Sequence, residues 1–443
     1  MRGKRVLLLA ATTGYQTRVF AAEAGRLGLA LTLGTDHCDR LDDPWGDQAV
    51  AVRFDDPERS LRGLTGLGAT TFDGIVAVGD QPAALAAHVA KELGLRFHPL
   101  EALQRCNSKF EMRNRFRSAG LLVPDYRLLP LREGPDEAAC AVKYPCVLKP
   151  LGLSASRGVI RANDPREFRT AFERITAILA GADIHRSREA ANRLEEHIQV
   201  ENFIPGREFA LEGLVTGGRL QTLALFDKPD RLDGPFFEET IYTTPSRESA
   251  VIQEGIAATA QEAVTALGLA HGPVHAEMRV NPAGVWMLEV AGRPIGGLCA
   301  KVLRFSGGTE AAASLLREEA ERPSPRLATL EEVILRHALG EDVSAIRRED
   351  SAAGVMMIPI PREGIYCGVR GEEAARDIPG IEEIEITAKE GYKLVPLPEG
   401  STYLGFIFAR GPSPERVESA LRQAHERLEF EILSTLPVIG KAW

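Results

Sequence analysis

The sequence predicts a multidomain α/β and α+β protein, and three observations carry that reading. Strand-like and helix-like segments alternate over residues 4–105, as a parallel sheet with flanking helices requires. From Ile198 to Phe226, alternating runs are broken by Pro205-Gly206 and Thr216-Gly-Gly218, the pattern of an antiparallel meander. Beyond the linker Arg322-Pro-Ser-Pro-Arg326, short strands and helices return in α+β order. The 443 residues have room for two to four domains. They divide as 1–105, 106–320 with a small lid over about 142–200, and 327–443.

Composition excludes several classes. A hydrophobic content of 44% with 26% charged residues is that of an ordinary soluble protein. The net charge of −9 argues against a nucleic-acid partner, which wants a basic surface. No apolar run reaches the ~18 residues needed to span a membrane. Arg2, Lys4 and Arg5 precede a short apolar stretch that reads as a buried strand rather than a signal peptide. The cysteines at 38, 106, 140, 146, 299 and 367 lack metal-type pairing, so a reduced, cytoplasmic setting is expected.

In order, Arg5–Ala10 is a strand, Arg18–Leu27 a helix, Leu29–Gly34 a strand, Gly74–Gly79 a strand and Pro82–Leu93 an Ala-rich helix. The first strand ends in Ala-Ala-Thr-Thr-Gly-Tyr-Gln, which is not the dinucleotide fingerprint. Asp80 follows a strand end, where open sheets place ligand contacts, and serves equally as a helix N-cap. Asn107-Ser-Lys109-Phe-Glu-Met-Arg113 opens a helix, capped by Asn107 or Ser108. Tyr144–Pro150 is a strand carrying Lys149, and the loop from Gly152 to Gly158 follows it. With Ser154 and Ser156 it offers hydroxyls and N–H groups to phosphate oxygens, although it is no P-loop. Residues 164–195 read as two lid helices. Ile198–Ile204, Arg207–Val215 and Arg219–Phe226 are the meander strands, the polar 227–239 loop follows, and Ser249–Leu267 is an amphipathic helix. Glu310–Glu321, Leu330–Leu339 and Pro414–Phe430 read as helices, and Gly354–Ile360, Ile381–Thr387 and Thr402–Ala409 as strands. That last unit holds no catalytic constellation; shaping a substrate pocket, dimerisation and plain support are its readings.

The stretch from His275 to Arg293 alternates on both sides of Asn281-Pro-Ala-Gly284, so it reads as a hairpin. One face would carry Ala276, Met278, Val280, Trp286, Leu288 and Val290, and the other His275, Glu277, Arg279, Met287, Glu289 and Arg293. A loop from Asn281 to Val285 sets Glu277 opposite Glu289. Like charges about 5 Å apart repel, and such a pair invites a hard cation. The bland alternative is a solvated, charged hairpin face.

Together, Asn-Ser-Lys109, Val-Leu-Lys149-Pro, the Ser154-Ala-Ser-Arg-Gly158 loop, Val-Glu201-Asn-Phe-Ile-Pro-Gly-Arg-Glu208, Glu277, Glu289 and Arg293 resemble the ATP-grasp superfamily. Within it they look like the carboxylate–amine ligases of the L-amino-acid ligase kind. The resemblance covers about residues 106–300, and residues 1–105 look like the domain that precedes ATP-grasp. It implies two antiparallel-sheet subdomains with ATP between them. Lys109 and Lys149 would contact phosphates, Ser154, Ser156 and Gly158 close over them, and Glu201 accept from the adenine amino group. Asn202 and Ile204 would add main-chain contacts, and Glu208 hold the ribose. Glu277 and Glu289 would bind Mg²⁺ or Mn²⁺, and Arg293 stabilise the acyl phosphate and the oxyanion. Where many relatives have an amide ligand stands Ala291, which leaves one or two ions open. His275 and Lys228 are further candidates.

The implied activity is ATP-dependent amide formation, dipeptide-type, through an acyl phosphate with release of ADP and phosphate. Its partners are a small-molecule carboxylate and amine, and a homodimer is a further expectation. The alternatives are an ATP-grasp enzyme activating another acid such as bicarbonate, and a non-catalytic ATP-binding regulator.

Overall fold

Five consecutive apolar residues, Val6 to Ala10, can be buried only inside a sheet covered on both faces. In the computed structural model, which describes residues 2–11, 15–36, 49–66, 71–181, 196–307 and 326–434, they form most of β1 (Arg5–Ala10). Helix α1 (Tyr15–Leu27), β2 (Ala30–Thr35), β3 (Ala49–Ala51), α2 (Pro57–Thr65), β4 (Gly74–Val78) and α3 (Asp80–Leu93) follow. The sheet order is β3-β2-β1-β4 and every pairing is parallel, as the alternation predicts. Helices α4 (Leu100–Asn107) and α5 (Lys109–Ser118) lead out of it, and the Ser108 hydroxyl caps α5 by accepting from the Glu111 N–H.

The lid is a four-stranded antiparallel sheet of β5 (Tyr126–Pro130), β6 (Cys146–Pro150), β7 (Ile160–Ala162) and β8 (His197–Asn202), in the order β5-β8-β6-β7. It therefore recruits a strand upstream of residue 142. Between its strands lie α6 (Asp136–Ala141) and α7 (Pro165–Leu179). Asp164 caps α7 and Pro165 starts it. Phe168, Phe172, Ile175 and Leu179, spaced three and four apart, give it one buried stripe against β6 and β8. The second expected lid helix lies outside the described residues, as do Cys38, the helix Glu310–Glu321 and linker residues 322–325.

The meander and hairpin supply β9 (Arg207–Thr216), β10 (Arg219–Lys228), β11 (Ile241–Thr244), α8 (Ala250–Leu267), β12 (His271–Asn281) and β13 (Gly284–Ala291). After β14 (Arg304–Ser306) come β15 (Ala328–Thr329), α9 (Leu330–Ala338), β16 (Arg347–Arg348), β17 (Ala352–Ile358), β18 (Gly364–Arg370), α10 (Glu372–Arg376) and β19 (Ile381–Ile386). Then follow β20 (Lys393–Leu394), β21 (Gly405–Gly411), α11 (Pro414–Glu426) and β22 (Glu429–Leu433). The last helix is thus four residues shorter than its pattern suggested, and its tail begins β22.

Three C-terminal strands, β17, β21 and β19, join the central sheet, while β20, β18 and β22 form a small sheet of their own. β17 pairs with β11, giving one eight-stranded sheet in the order β13-β12-β9-β10-β11-β17-β21-β19. The cores merge accordingly: Val6 and Leu8 of β1 share one cluster with Leu214, Phe226, Val355 and Phe408, and Leu7 and Leu9 share another with Phe209, Leu211, Val274 and Val290. Parallel domain, central sheet and C-terminal unit are thereby fixed against each other, so side chains from all three can meet at one site.

Candidate active site

The hairpin pairs Glu277 with Glu289 as counted, by a different route. The strands run on to Asn281 and Gly284, leaving a tighter turn than expected, and a bulge between Glu277 and Met278 restores the carboxylate pairing. A one-residue shift moves side chains to the opposite face. Met287 is therefore buried in the core beside Met278, and Trp286 opposes Arg279; the expected faces of both are corrected. Leu288, the bulged residue, turns into the cleft with Glu289.

Across the cleft, α5 and the lid assemble a cationic wall. Glu201 on β8 is buried and accepts from Arg113 Nε (2.6 Å) and Nη2 (3.3 Å), Lys149 Nζ (2.5 Å) and Gln199 Nε2 (2.7 Å). Burial raises its pKa, but Arg113 and Lys149 outweigh that and hold it at about 2. A carboxylate offers about four acceptor positions, and all are taken. The Glu201 carboxylate thereby anchors Lys149. Lys109 donates to the Leu153 carbonyl at 2.7 Å, tying α5 to the start of the 154–158 loop. Burial lowers the Lys109 pKa against the pull of Glu289.

Below the hairpin, Lys228 at the end of β10 is buried among carboxylates, its Nζ 2.9 Å from Glu208, 2.5 Å from Glu239 and 3.3 Å from Glu277. Burial disfavours its charge, and the three carboxylates more than reverse that, so its pKa lies well above the ordinary value. Glu208 also receives Arg279 Nε at 2.8 Å. His275 Nδ1 lies 3.2 Å from Glu212 and its Nε2 3.4 Å from Glu277. Burial opposes protonation, yet bonds to the two carboxylates lift its pKa to about 9. Burial likewise opposes the charge of Glu277, but Lys228 and His275 hold its carboxyl well below the usual range. Carboxylate oxygens of Glu208, Glu239 and Glu277 lie within 4.8 Å of one another, a spacing fit for a divalent cation, but the Lys228 ammonium already stands among them. Glu289 is exposed and lines the cleft together with Glu277.

Arg293, just past β13, donates from Nε to Asp80 Oδ1 at 2.6 Å. Asp80 sits in the first turn of α3 with Gly79 as N-cap, so its carboxylate serves the arginine and not the cap. Burial lowers and Asp80 and Glu289 raise the Arg293 pKa, with a net increase.

Of the residues picked from sequence, Lys109, Lys149, Ser154, Ser156, Glu201, Asn202, Ile204, Glu208, Glu277 and Glu289 line one cleft. Gly158 closes the loop from behind, and His275, Lys228 and Arg293 stand behind or beside the carboxylates, outside the cleft wall. Arg113 and Arg279 had no assigned part, and Asp80, read as a ligand contact or an N-cap, instead holds Arg293. Arg113 was legible one helical turn after Lys109, and Arg279 one strand repeat after Glu277. The apolar walls, Val147, Phe203, Phe237 and Leu288, carried no sequence signal.

Comparison with known proteins agrees with this assembly. Residues 142–302 match the ATP-grasp domain model, and residues 356–433 match L-amino acid ligase C-terminal domain 2. Protein y4rH of Sinorhizobium fredii is 23% identical over 370 residues, 82% of this chain and 69% of its own length. Alanine–anticapsin ligase of Bacillus subtilis is 25% identical over 206 residues, 44% of this chain and 42% of that ligase. The crystal structure of an L-amino acid ligase from Bacillus licheniformis superposes with a TM-score of 0.73 at 24% identity, covering 98% of this chain and 100% of that one. Among the described residues no helix is long and apolar enough to cross a membrane. Both domain models are thus matched in chain order, the ATP-grasp domain model over the lid and central sheet that carry Lys149, Glu277 and Glu289, and the L-amino acid ligase C-terminal model over the unit that follows.

Proposed function

We propose that the protein is an ATP-dependent carboxylate–amine ligase that forms a dipeptide-type amide bond. The observation that carries this is the convergence of Lys109, Lys149, the 154–156 loop, Glu277 and Glu289 on one cleft, although they lie in four separated stretches of chain. A substrate carboxylate oxygen attacks the γ-phosphorus, giving an acyl phosphate and ADP. The amine then attacks the acyl carbon, and phosphate leaves as the amide forms. Splitting the condensation in this way gives two easier steps.

The roles follow the geometry. Lys109 and Lys149 neutralise phosphate charge, with Lys149 held by Glu201. The Ser154 and Ser156 hydroxyls and the Gly158 turn shape the loop over the phosphates. Main-chain groups of Glu201, Asn202 and Ile204 border the adenine, between Val147, Phe203 and Leu288, and Glu208 faces the ribose. Glu277 and Glu289 would hold Mg²⁺ or Mn²⁺, which would offset charge on the β- and γ-phosphates. Ala291 lies opposite His275 and offers no amide, and the Lys228 ammonium already lies 3.3 Å from Glu277. Arg293, oriented by Asp80, faces the oxyanion of the tetrahedral intermediate. The activity belongs where ATP is supplied, in the cytoplasm.

The test is phosphate release over a matrix of carboxylic acids and amines. Release requires one acid and one amine together and falls at least about a hundredfold in Glu289→Ala and Arg293→Ala. Full turnover by either variant, or ADP formation driven by bicarbonate without an amine, would overturn the assignment.

A further inference from the structure

The loop that faces the phosphates is fastened from outside its own subdomain. Gly158 donates its N–H to the Pro398 carbonyl at 2.9 Å, and Arg157 Nε donates to the Glu399 carbonyl at 2.7 Å. The Glu399 carboxylate accepts a forked pair from Arg174 on α7, at 2.5 and 2.8 Å. Arg174 also lies 4.9 Å from the centre of the Phe236 ring. Pro398 and Glu399 belong to the connection between β20 and β21, so the contact joins the C-terminal domain to the lid.

The loop needs such support. Ala155 and Ser156 both adopt left-handed backbone, φ 52° and 56°, which crowds Cβ against the following carbonyl oxygen and is unfavourable for an L-residue. Gly158 follows at φ 71°, and a Cβ there would stand 2.9 Å from Pro150 Cγ. Two turn bonds brace the loop internally, Arg157 N–H to the Ser154 carbonyl and Val159 N–H to the Ser156 carbonyl. The strained segment thus has the 398–399 backbone at one end and Lys109, through Leu153, at the other.

We propose that Glu399 is a positioning residue for the phosphate loop: paired with Arg174, it seats the Pro398 and Glu399 carbonyls on Gly158 and Arg157, so that the C-terminal domain clamps the lid over the nucleotide's β- and γ-phosphates. The proposal rests on reading the cleft as an ATP site. Both side chains of the pair are 40% exposed, so the pair adds little to overall stability and its loss leaves the fold standing. Its effect is local, on the one segment whose conformation is costly to hold.

The experiment uses the full chain and two readouts. Titration calorimetry compares Mg–AMPPNP with AMP, which lacks the phosphates the loop covers. Hydrogen exchange follows the amides of residues 152–160. Glu399→Ala weakens AMPPNP binding about two- to fivefold and leaves AMP binding unchanged, and Gly158 exchanges faster. Glu399→Gln, which keeps one acceptor for Arg174, loses less. Equal losses for AMP and AMPPNP, or no loss for either, would overturn the proposal, as would unchanged exchange at Gly158. Should the wild-type chain bind neither nucleotide, the ATP-site reading fails, while the exchange data decide independently whether Glu399 fastens the loop.

Discussion

Replacing Lys228 with methionine tests the electrostatic logic of the site directly. The lysine side chain is 2% exposed, and its ammonium is shared by Glu208, Glu239 and Glu277. Glu208 keeps Arg279 and Glu277 keeps His275, but Glu239 is left with the Tyr242 hydroxyl as its hydrogen-bond donor. Breaking a buried ion pair by removing one member costs about 3–5 kcal/mol. The side chains of Glu239 and Glu277 are 24% and 23% exposed, so the lower end, about 3 kcal/mol, applies. At roughly 2–4 °C per kcal/mol for a unit of this size, Lys228→Met melts about 6–12 °C lower in metal-free buffer. The carboxylate triad is then open to a divalent cation, and an ion that binds only the folded state stabilises it by mass action. Excess Mg²⁺ or Mn²⁺ therefore raises the melting temperature of the variant more than that of the parent. Differential scanning calorimetry with and without metal reads both effects. A variant that melts within about 2 °C of the parent without metal would refute the reasoning, because three clustered carboxylates would then need no cation.

Three further outcomes follow from the same structure. Glu331 at the start of α9 is buried with Oε1 unpartnered, and burial raises its pKa to about 7. A carboxyl raised in the folded state favours folding at low pH, and that contribution is lost between about pH 4.5 and 7. Glu331→Gln removes this slope and gains about 3 kcal/mol above pH 7 in urea unfolding; an unchanged pH profile would exclude burial as the cause. Gly206 has φ 131°, and a Cβ there would lie 2.4 Å from the Val280 carbonyl oxygen, so Gly206→Ala costs about 2 kcal/mol or more, read as a lower urea midpoint. Arg113→Ala removes two of the four donors to Glu201 and frees Lys149 to pair more tightly with that carboxylate. Its stability falls by about 3 kcal/mol and its affinity for Mg–AMPPNP drops with it, whereas equal affinity would show that Lys149 is placed without Glu201.

What the sequence by itself determined is whatever lies within one or two elements of chain. The parallel sheet around β1, the cap at Ser108 and the opposition of Glu277 to Glu289 all come from periodicity and turn chemistry, which act over about ten residues. Family resemblance extended that to the lysines and the Ser154–Gly158 loop, whose residue types alone are common on any surface. Only the tertiary structure decided the rest. The bulge beside Glu277 sends Met287 inward because β12 must also pair with β9 along its length, a constraint invisible in the hairpin's own pattern. Arg113 meets Glu201 across 88 residues, Arg293 meets Asp80 across 213, and Arg174 meets Glu399 across 225. Each partner looks like an ordinary surface charge where it stands in the chain. The pairing of β11 with β17 brings the C-terminal unit into the central sheet, and the packing it forces sets distant charges close enough to fix one another.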